Sequence, residues 1–285
     1  MTRPTHALTI DVEDWFQVLN LRSRIPRADW DGLPLRCDGP TRRILDLCDK
    51  HHAKATFFVL GWIAERLPDL VREITARGHE VGSHGWDHKL VPELGEEGFR
   101  EETRRTRSLL EDLTGRPVES YRACTWSIGP DTPWALPTLV EEGVLYDSSI
   151  QPVRHPDYGT PDAPLGPHLL EPVAGRTLFE LPPLVGRFLG RRVPLGGGGY
   201  LRLFPVAWLS RGLTRREARG EPSCLYLHPW ELDPMQPRVG AKGLKSFRHY
   251  VGLARTEAKL ETLLSKHRFR SLAEVGRSWL AAAGV

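Results

Sequence analysis

Apolar and polar positions alternate between two rhythms along the chain. Residues 7–10 (ALTI) form a short β-favouring run that ends in Asp11-Val12-Glu13-Asp14, predicting a strand that delivers carboxylates at its C-terminal end. From Thr41 onward Ile44, Leu45 and Cys48 recur at helical spacing, and 54–60 (KATFFVL) is the pattern of a buried strand. A second helical stretch covers 63–77, with Gly78 placed as a left-handed cap, and 79–83 returns to extended structure. Residues 98–114 carry Phe99, Leu110 and Leu113 on one helical stripe; Gly115 stops this helix and 118–123 is the next strand. The unit repeats at 133–142 and 144–148. A last buried strand, 224–227, ends in His228, and helices follow around 246–265 and 271–283.

Repeated strand–helix alternation predicts a parallel sheet with helices outside it, and the number of repeats favours a closed or nearly closed barrel, an α/β class whose sites sit at the strand C-terminal ends. Between about 151 and 200 the pattern gives way to Pro-, Gly- and His-rich sequence, including Gly196-Gly197-Gly198-Gly199, which predicts an insertion near the site mouth. The expectation is one catalytic domain over 1–285, with its motifs between about 7 and 231 and a helical C-terminal part from about 240.

Composition narrows the function classes. A net charge of +3 over 285 residues, without an arginine-rich run interleaved with stacking aromatics, argues against a nucleic-acid partner. Cys37, Cys48, Cys124 and Cys224 form no CxxC pair, so neither a disulfide framework nor a cysteine zinc site is expected. No run of about eighteen apolar residues predicts a transmembrane segment, and the N-terminus lacks the pattern of an export signal. The expectation is a cytoplasmic protein, at most peripheral to an inner membrane.

His84 and His88 stand four apart in GSHGWDH, a spacing that on a helical turn points two imidazoles the same way, and neutral histidine is a common zinc ligand. Asp11, Glu13 and Asp14 close the first strand between apolar Ile10 and Trp15-Phe16, so at least one carboxylate is held near the interior and needs a counter-charge. Arg122 ends another predicted strand, with a fork suited to orienting a carboxylate through two parallel hydrogen bonds. His228 ends the last strand, enclosed by Pro229 and Trp230. Ser83 and Ser149 lack the Gly-x-Ser-x-Gly elbow of a serine hydrolase.

The ordered set TIDVEDW, GSHGWDH, YRACTWS, YDSSIQP and LYLHPWE, spanning 7 to 231, resembles the motif series of the polysaccharide deacetylases, the NodB-homology or carbohydrate esterase 4 family. Among these it is most similar to the subgroup associated with exopolysaccharide and exosortase (PEP-CTERM) systems. The resemblance implies a distorted (β/α) barrel of about seven strands, within the general barrel architecture, and a divalent metal, foremost zinc. It implies His84 and His88 as metal ligands, Asp11 as general base, Arg122 as the residue orienting that base, and His228 as general acid. The metal carboxylate is Asp14 or Glu13, with Asp14 preferred, because Val12 stands where the family's second aspartate usually does. Cys124 replaces a customary proline and is assigned no chemistry. Asp147 in the fourth motif, together with Trp126, Tyr200 and Trp230, is expected to shape the substrate wall.

The implied activity is removal of N-acetyl groups from the amino sugars of a polysaccharide or oligosaccharide, in exopolysaccharide biosynthesis. The alternatives are an allantoinase-like hydrolase of small amides and a non-catalytic glycan-binding protein. Nothing in the sequence indicates the oligomeric state.

Overall fold

The computed structural model describes residues 4–156, 158–188, 190–239 and 243–284. The first part alternates strands and helices: β1 (His6–Val12), α1 (Asp38–Lys50), β2 (Thr56–Val59), α2 (Gly61–Arg66), α3 (Pro68–Ala76), β3 (Glu80–Ser83), α4 (Val91–Thr114), β4 (Ser120–Tyr121), α5 (Ala135–Glu141) and β5 (Tyr146–Asp147). Two hairpins follow, β6 (His168–Val173) with β7 (Arg176–Glu180) and β8 (Val185–Phe188) with β9 (Arg191–Pro194). The chain closes with α6 (Gly199–Leu203), α7 (Val206–Glu217), β10 (Cys224–Leu227), α8 (Leu244–Tyr250), α9 (Leu253–Lys266), β11 (Phe269–Arg270) and α10 (Leu272–Ala283).

Among the described residues seven strands run parallel in the order β10-β1-β2-β3-β4-β5-β7, with β6 antiparallel on the outer edge and β11 beside the start of β1. The sheet curls until an isolated bridge from Pro183 to Cys224 brings the chain after β7 against β10. The result is a curled half-barrel, an α/β fold of the expected distorted (β/α)-barrel type, with every parallel strand delivering its C-terminal end to one rim.

Parity along β1 explains the layering. Successive side chains of a strand point to opposite faces, so Leu8, Ile10 and Val12 join the core under the helices with Ile44, Leu45 and Cys48 of α1. Thr9 and Asp11 face the interior, where both accept hydrogen bonds from Arg122.

Four expectations are revised by the structure. The helix predicted at 63–77 is broken into α2 and α3, because Pro68 has no N–H to continue the ladder and instead opens α3. The helix predicted from 98 begins at Val91 and kinks at Gly95, which adopts φ 66°. The helix predicted at 246–265 divides at Gly252, which adopts φ 74° and where a Cβ would fall 2.7 Å from the Arg202 carbonyl oxygen. The irregular stretch 151–200 contains the two hairpins.

Burial holds the imidazoles of His6, His79 and His249 neutral, drawing each down to about 4. These folded values lie below the ordinary 6.5, so the unfolded chain binds more protons in between. Stability is complete above pH 6.5 and is lost as pH falls toward 4. His79 Nδ1 accepts the Ala55 N–H at 3.2 Å while its Nε2 is buried without a hydrogen-bond partner. His79→Asn, which keeps an acceptor and removes the titration, is expected to flatten the dependence of the urea midpoint on pH below 6.5. An unchanged slope would remove His79 from the acid sensitivity.

Candidate functional site

At the C-terminal rim a cavity of about 330 Å³ is lined by Asp11, Glu13, His84, His88 and His228, with Trp126, Tyr200 and Tyr226 on its walls. Strand parity carries past the end of β1: Asp11 and Glu13, two apart, both face this cavity. Asp14 takes the opposite side. Its Oδ2 accepts the main-chain N–H groups of Arg36 (2.6 Å) and Cys37 (2.9 Å) and its Oδ1 that of Trp15 (2.8 Å), which ties the β1 loop to the start of α1. The carboxylate turned toward the histidines is therefore Glu13, while that of Asp14 faces the start of α1.

The histidines come from the loop after β3, which is extended and turned rather than helical as the H-x-x-x-H spacing suggested. His84 Nδ1 donates to the Arg122 carbonyl oxygen at 2.8 Å, so its Nε2 is left free for a ligand. His88 adopts φ 59°, and its ring lies 5.7 Å from that of His84. Trp86 anchors the loop, packing so closely on Gly61 that a Cβ there would fall 2.3 Å from its ring, with the Arg105 guanidinium carbon 3.3 Å from its ring centre. His88 Nε2 lies 2.8 Å from Glu13 Oε2, yet Oε2 is buried without a hydrogen bond. Burial pushes the Glu13 carboxyl up, but the surrounding His88, His228 and His84 outweigh it and bring it down to about 2. Burial also draws His84 down to about 4, the neutral form that a metal requires. The His84 and His88 imidazoles, with the Glu13 carboxylate against His88, offer donors of the kind that a zinc-like divalent ion takes.

Cys124 was assigned no chemistry, but its Sγ lies within 4.8 Å of ligand nitrogens of both histidines. It donates to the His84 carbonyl oxygen at 3.0 Å, and burial pushes the thiol well above its usual range.

Arg122 is fully buried and gives Asp11 one hydrogen bond (Nη1 to Oδ1, 2.8 Å) instead of a two-bond fork. Its other donors reach Thr9 Oγ1 (2.7 Å), Ser148 Oγ (2.8 Å) and the Ser148 carbonyl oxygen (3.1 Å), so it clamps β1 to the end of β5. Asp11 Oδ2 stays turned to the cavity, 3.8 Å from His228 Nε2.

His228 is supported by two residues that the sequence did not single out. Its Nδ1 donates to Glu231 Oε1 at 2.7 Å, and Arg202 Nε donates to Glu231 Oε2 at 2.6 Å. Burial lowers the His228 imidazole, but Glu13, Glu231 and Asp11 overcome this and raise it to about 9. Glu231 stands three residues after His228, a capping-box spacing visible in HPWE. Arg202 comes from α6 and carries no local signal.

Of the expected wall residues, Tyr200 and Trp126 line the cavity. Trp230 does too; its ring stacks with those of His228 (5.2 Å) and His249 (4.6 Å), and its Nε1 donates to Glu13. Asp147 does not line the cavity; its carboxylate accepts the Ser149 hydroxyl (2.6 Å) and N–H (3.2 Å).

The curled parallel half-barrel thus gathers two histidines, a carboxylate and a facing Asp–His pair at its rim. Residues 31–136 match the family model described as "Polysaccharide deacetylase", and residues 148–277 match one described as "Domain of unknown function (DUF3473)". A peptidoglycan-N-acetylglucosamine deacetylase of Bacillus cereus is 38% identical over 82 residues, which are 27% of this chain and 30% of that protein. The chain thus spans less than a third of that relative. Two solved structures share the fold across nearly the whole chain. One, described as a probable polysaccharide deacetylase from Pseudomonas aeruginosa PAO1, gives a TM-score of 0.65 at 18% identity over 98% of this chain and 92% of that one. The other, an allantoinase, gives 0.64 at 18% identity over 99% and 92%. Over residues 31–136 the chain is therefore similar to the polysaccharide deacetylases, and it shares its fold with these two solved structures.

Proposed function

We propose that the protein hydrolyses the N-acetyl groups of amino sugars in a glycan, with His84, His88 and Glu13 holding a divalent metal, foremost zinc. The observation that carries this is the pairing of Asp11, held by Arg122, with His228, held by Glu231, across a cavity that also presents the His–His–Glu donor set. Bound there, the metal supplies an electrophile for the acetamide oxygen and an acidified water. Asp11, with Oδ1 fixed by Arg122, takes a proton from the attacking water on Oδ2. His228, kept protonated by its carboxylate neighbours, delivers one to the departing nitrogen. Glu231 and Arg202 hold that imidazole with its Nε2 toward the cavity. The setting in exopolysaccharide synthesis, and the exosortase-associated subgroup, follow from the motif resemblance and belong to the same proposal.

The similar likeness to an allantoinase keeps a small-amide hydrolase as the second reading. The aromatic lining by Trp126, Tyr200 and Tyr226 favours a sugar. Acetate release from N-acetylglucosamine oligomers and from exopolysaccharide, by metal-stripped protein with and without zinc, tests the choice. Acetate that depends on zinc and is lost in His84→Ala supports the deacetylase. Turnover of cyclic amides without acetate from any glycan would replace it, and glycan binding without turnover would make the protein a lectin-like module.

The ligand set has its own test. Glu13→Gln is expected to weaken zinc at least tenfold to a hundredfold, since supporting contacts alone contribute that much, whereas Asp14→Asn lowers thermal stability and keeps zinc. Cobalt-substituted protein should show no thiolate charge-transfer band; such a band, lost in Cys124→Ser, would put Cys124 among the ligands.

A further inference from the structure

The face made by the β8–β9 hairpin and α7 holds a second cavity, of about 600 Å³, apart from the catalytic one. Its lining is hydrocarbon: Leu184, Val185, Val193, Leu195 and Phe204. Phe188 and Trp208 also border it and stay 60% and 50% exposed. Large apolar side chains left in water around an apolar cavity mark an interaction surface.

The charge around this cavity is one-sided. Arg187, Arg211, Arg215 and Arg219 border it and are all exposed. Among the described residues none of the four has a carboxylate within 4.0 Å, whereas the less exposed Arg216 is paired with Glu221 at 2.5 Å. Between Glu180 and Glu217 the chain carries seven arginines and no aspartate or glutamate, although the whole protein has a net charge of only +3. The four exposed arginines are therefore left without a paired acid, and an anionic partner relieves their mutual repulsion. An acidic protein or a nucleic acid would neutralise the arginines but leave the aliphatic cavity unfilled. Hydrocarbon beneath anionic head groups matches both parts.

The cavity also adjoins the catalytic one. Tyr200, Phe204 and Trp208 stack in succession, with ring centres 5.9 and 5.5 Å apart. Tyr200 lines the catalytic cavity, and Phe204 and Trp208 line the arginine-rimmed one.

We propose that this face docks on an anionic lipid bilayer, with phosphates of the head groups on Arg187, Arg211, Arg215 and Arg219 and acyl chains entering the cavity between the β8–β9 hairpin and α7. Docked in this way, the protein holds its catalytic cavity beside the bilayer. The proposal does not depend on the reaction performed there.

Sedimentation of the full chain with vesicles tests it, comparing phosphatidylcholine alone with equal parts of phosphatidylcholine and phosphatidylglycerol. Binding is expected to the anionic vesicles only and to weaken with salt. Arg211→Ala/Arg215→Ala should reduce it about thirtyfold, from the typical contribution of two arginines near an anionic surface, and Phe188→Ser/Trp208→Ser should remove the part that survives at high salt. All four side chains are exposed, so the melting temperature and any acetate release from free oligosaccharide should stay at wild-type values, which separates failure to dock from failure to fold or to catalyse. No binding to the anionic vesicles overturns the proposal. So does binding that the arginine variant retains in full, or a concentration-dependent dimer that is abolished by Phe188→Ser/Trp208→Ser while vesicle binding is not.

Discussion

Asp11→Asn should lower acetate release by roughly a hundred- to ten-thousandfold, the span typical of losing a general base, while zinc binding measured by equilibrium dialysis stays near the wild-type value. Asparagine preserves the shape of the side chain and offers an oxygen to Arg122, so the packing around the buried guanidinium survives. What it cannot do is accept a proton at the atom that now faces His228 from 3.8 Å. Because the proposed ligands are His84, His88 and Glu13, the metal should remain bound. A rate within tenfold of wild type would exclude Asp11 as the base; loss of zinc would make it a ligand instead.

The second large effect is on stability. Arg122→Leu should cost about 3–5 kcal/mol in urea denaturation, as expected when one partner of a buried ion pair is removed. Asp11 would be left charged and buried, Thr9 would lose one donor and Ser148 two. The double variant Asp11→Asn/Arg122→Leu should lose less than the sum of the two single changes, because the stranded charge is gone. Arg122→Lys is not expected to rescue: an ammonium cannot reach Asp11, Thr9 and Ser148 with one planar group. Additive losses in the double variant would show that the guanidinium is mainly packing, consistent with its position 4.6 Å from the Phe58 ring centre.

Much of this architecture is legible in the sequence because parallel strands buried on both sides must be continuous apolar runs. That requirement exposes β2 and β10, and the apolar Leu8, Ile10 and Val12 expose β1, and with them the rim where Asp11 and His228 stand. His84 and His88 were found through a helical spacing that the loop does not adopt; a loop pinned by Trp86 on Gly61 brings the same rings together. Glu13 and Asp14 could not be separated until the direction of β1 was known, since a one-residue step along a strand changes the face entirely. Arg202 lies 29 positions before its partner Glu231, and nothing local marks the contact. The hairpins within 151–200 escaped notice because β6 has five half-buried positions and one exposed one, with no alternation to read.

The circular arrangement of the site has a consequence for how such chains can change over time. Asp11 precedes both matched segments, His84, His88 and Arg122 belong to 31–136, and His228 with its supports Glu231 and Arg202 belongs to 148–277. The two segments therefore cannot be exchanged as independent cassettes: recombination between them would separate the proposed acid from the proposed base and the metal ligands. A change in the later segment that breaks the Arg202–Glu231–His228 contact would leave the proposed acid without its supports, although it lies outside the stretch that holds the proposed metal ligands.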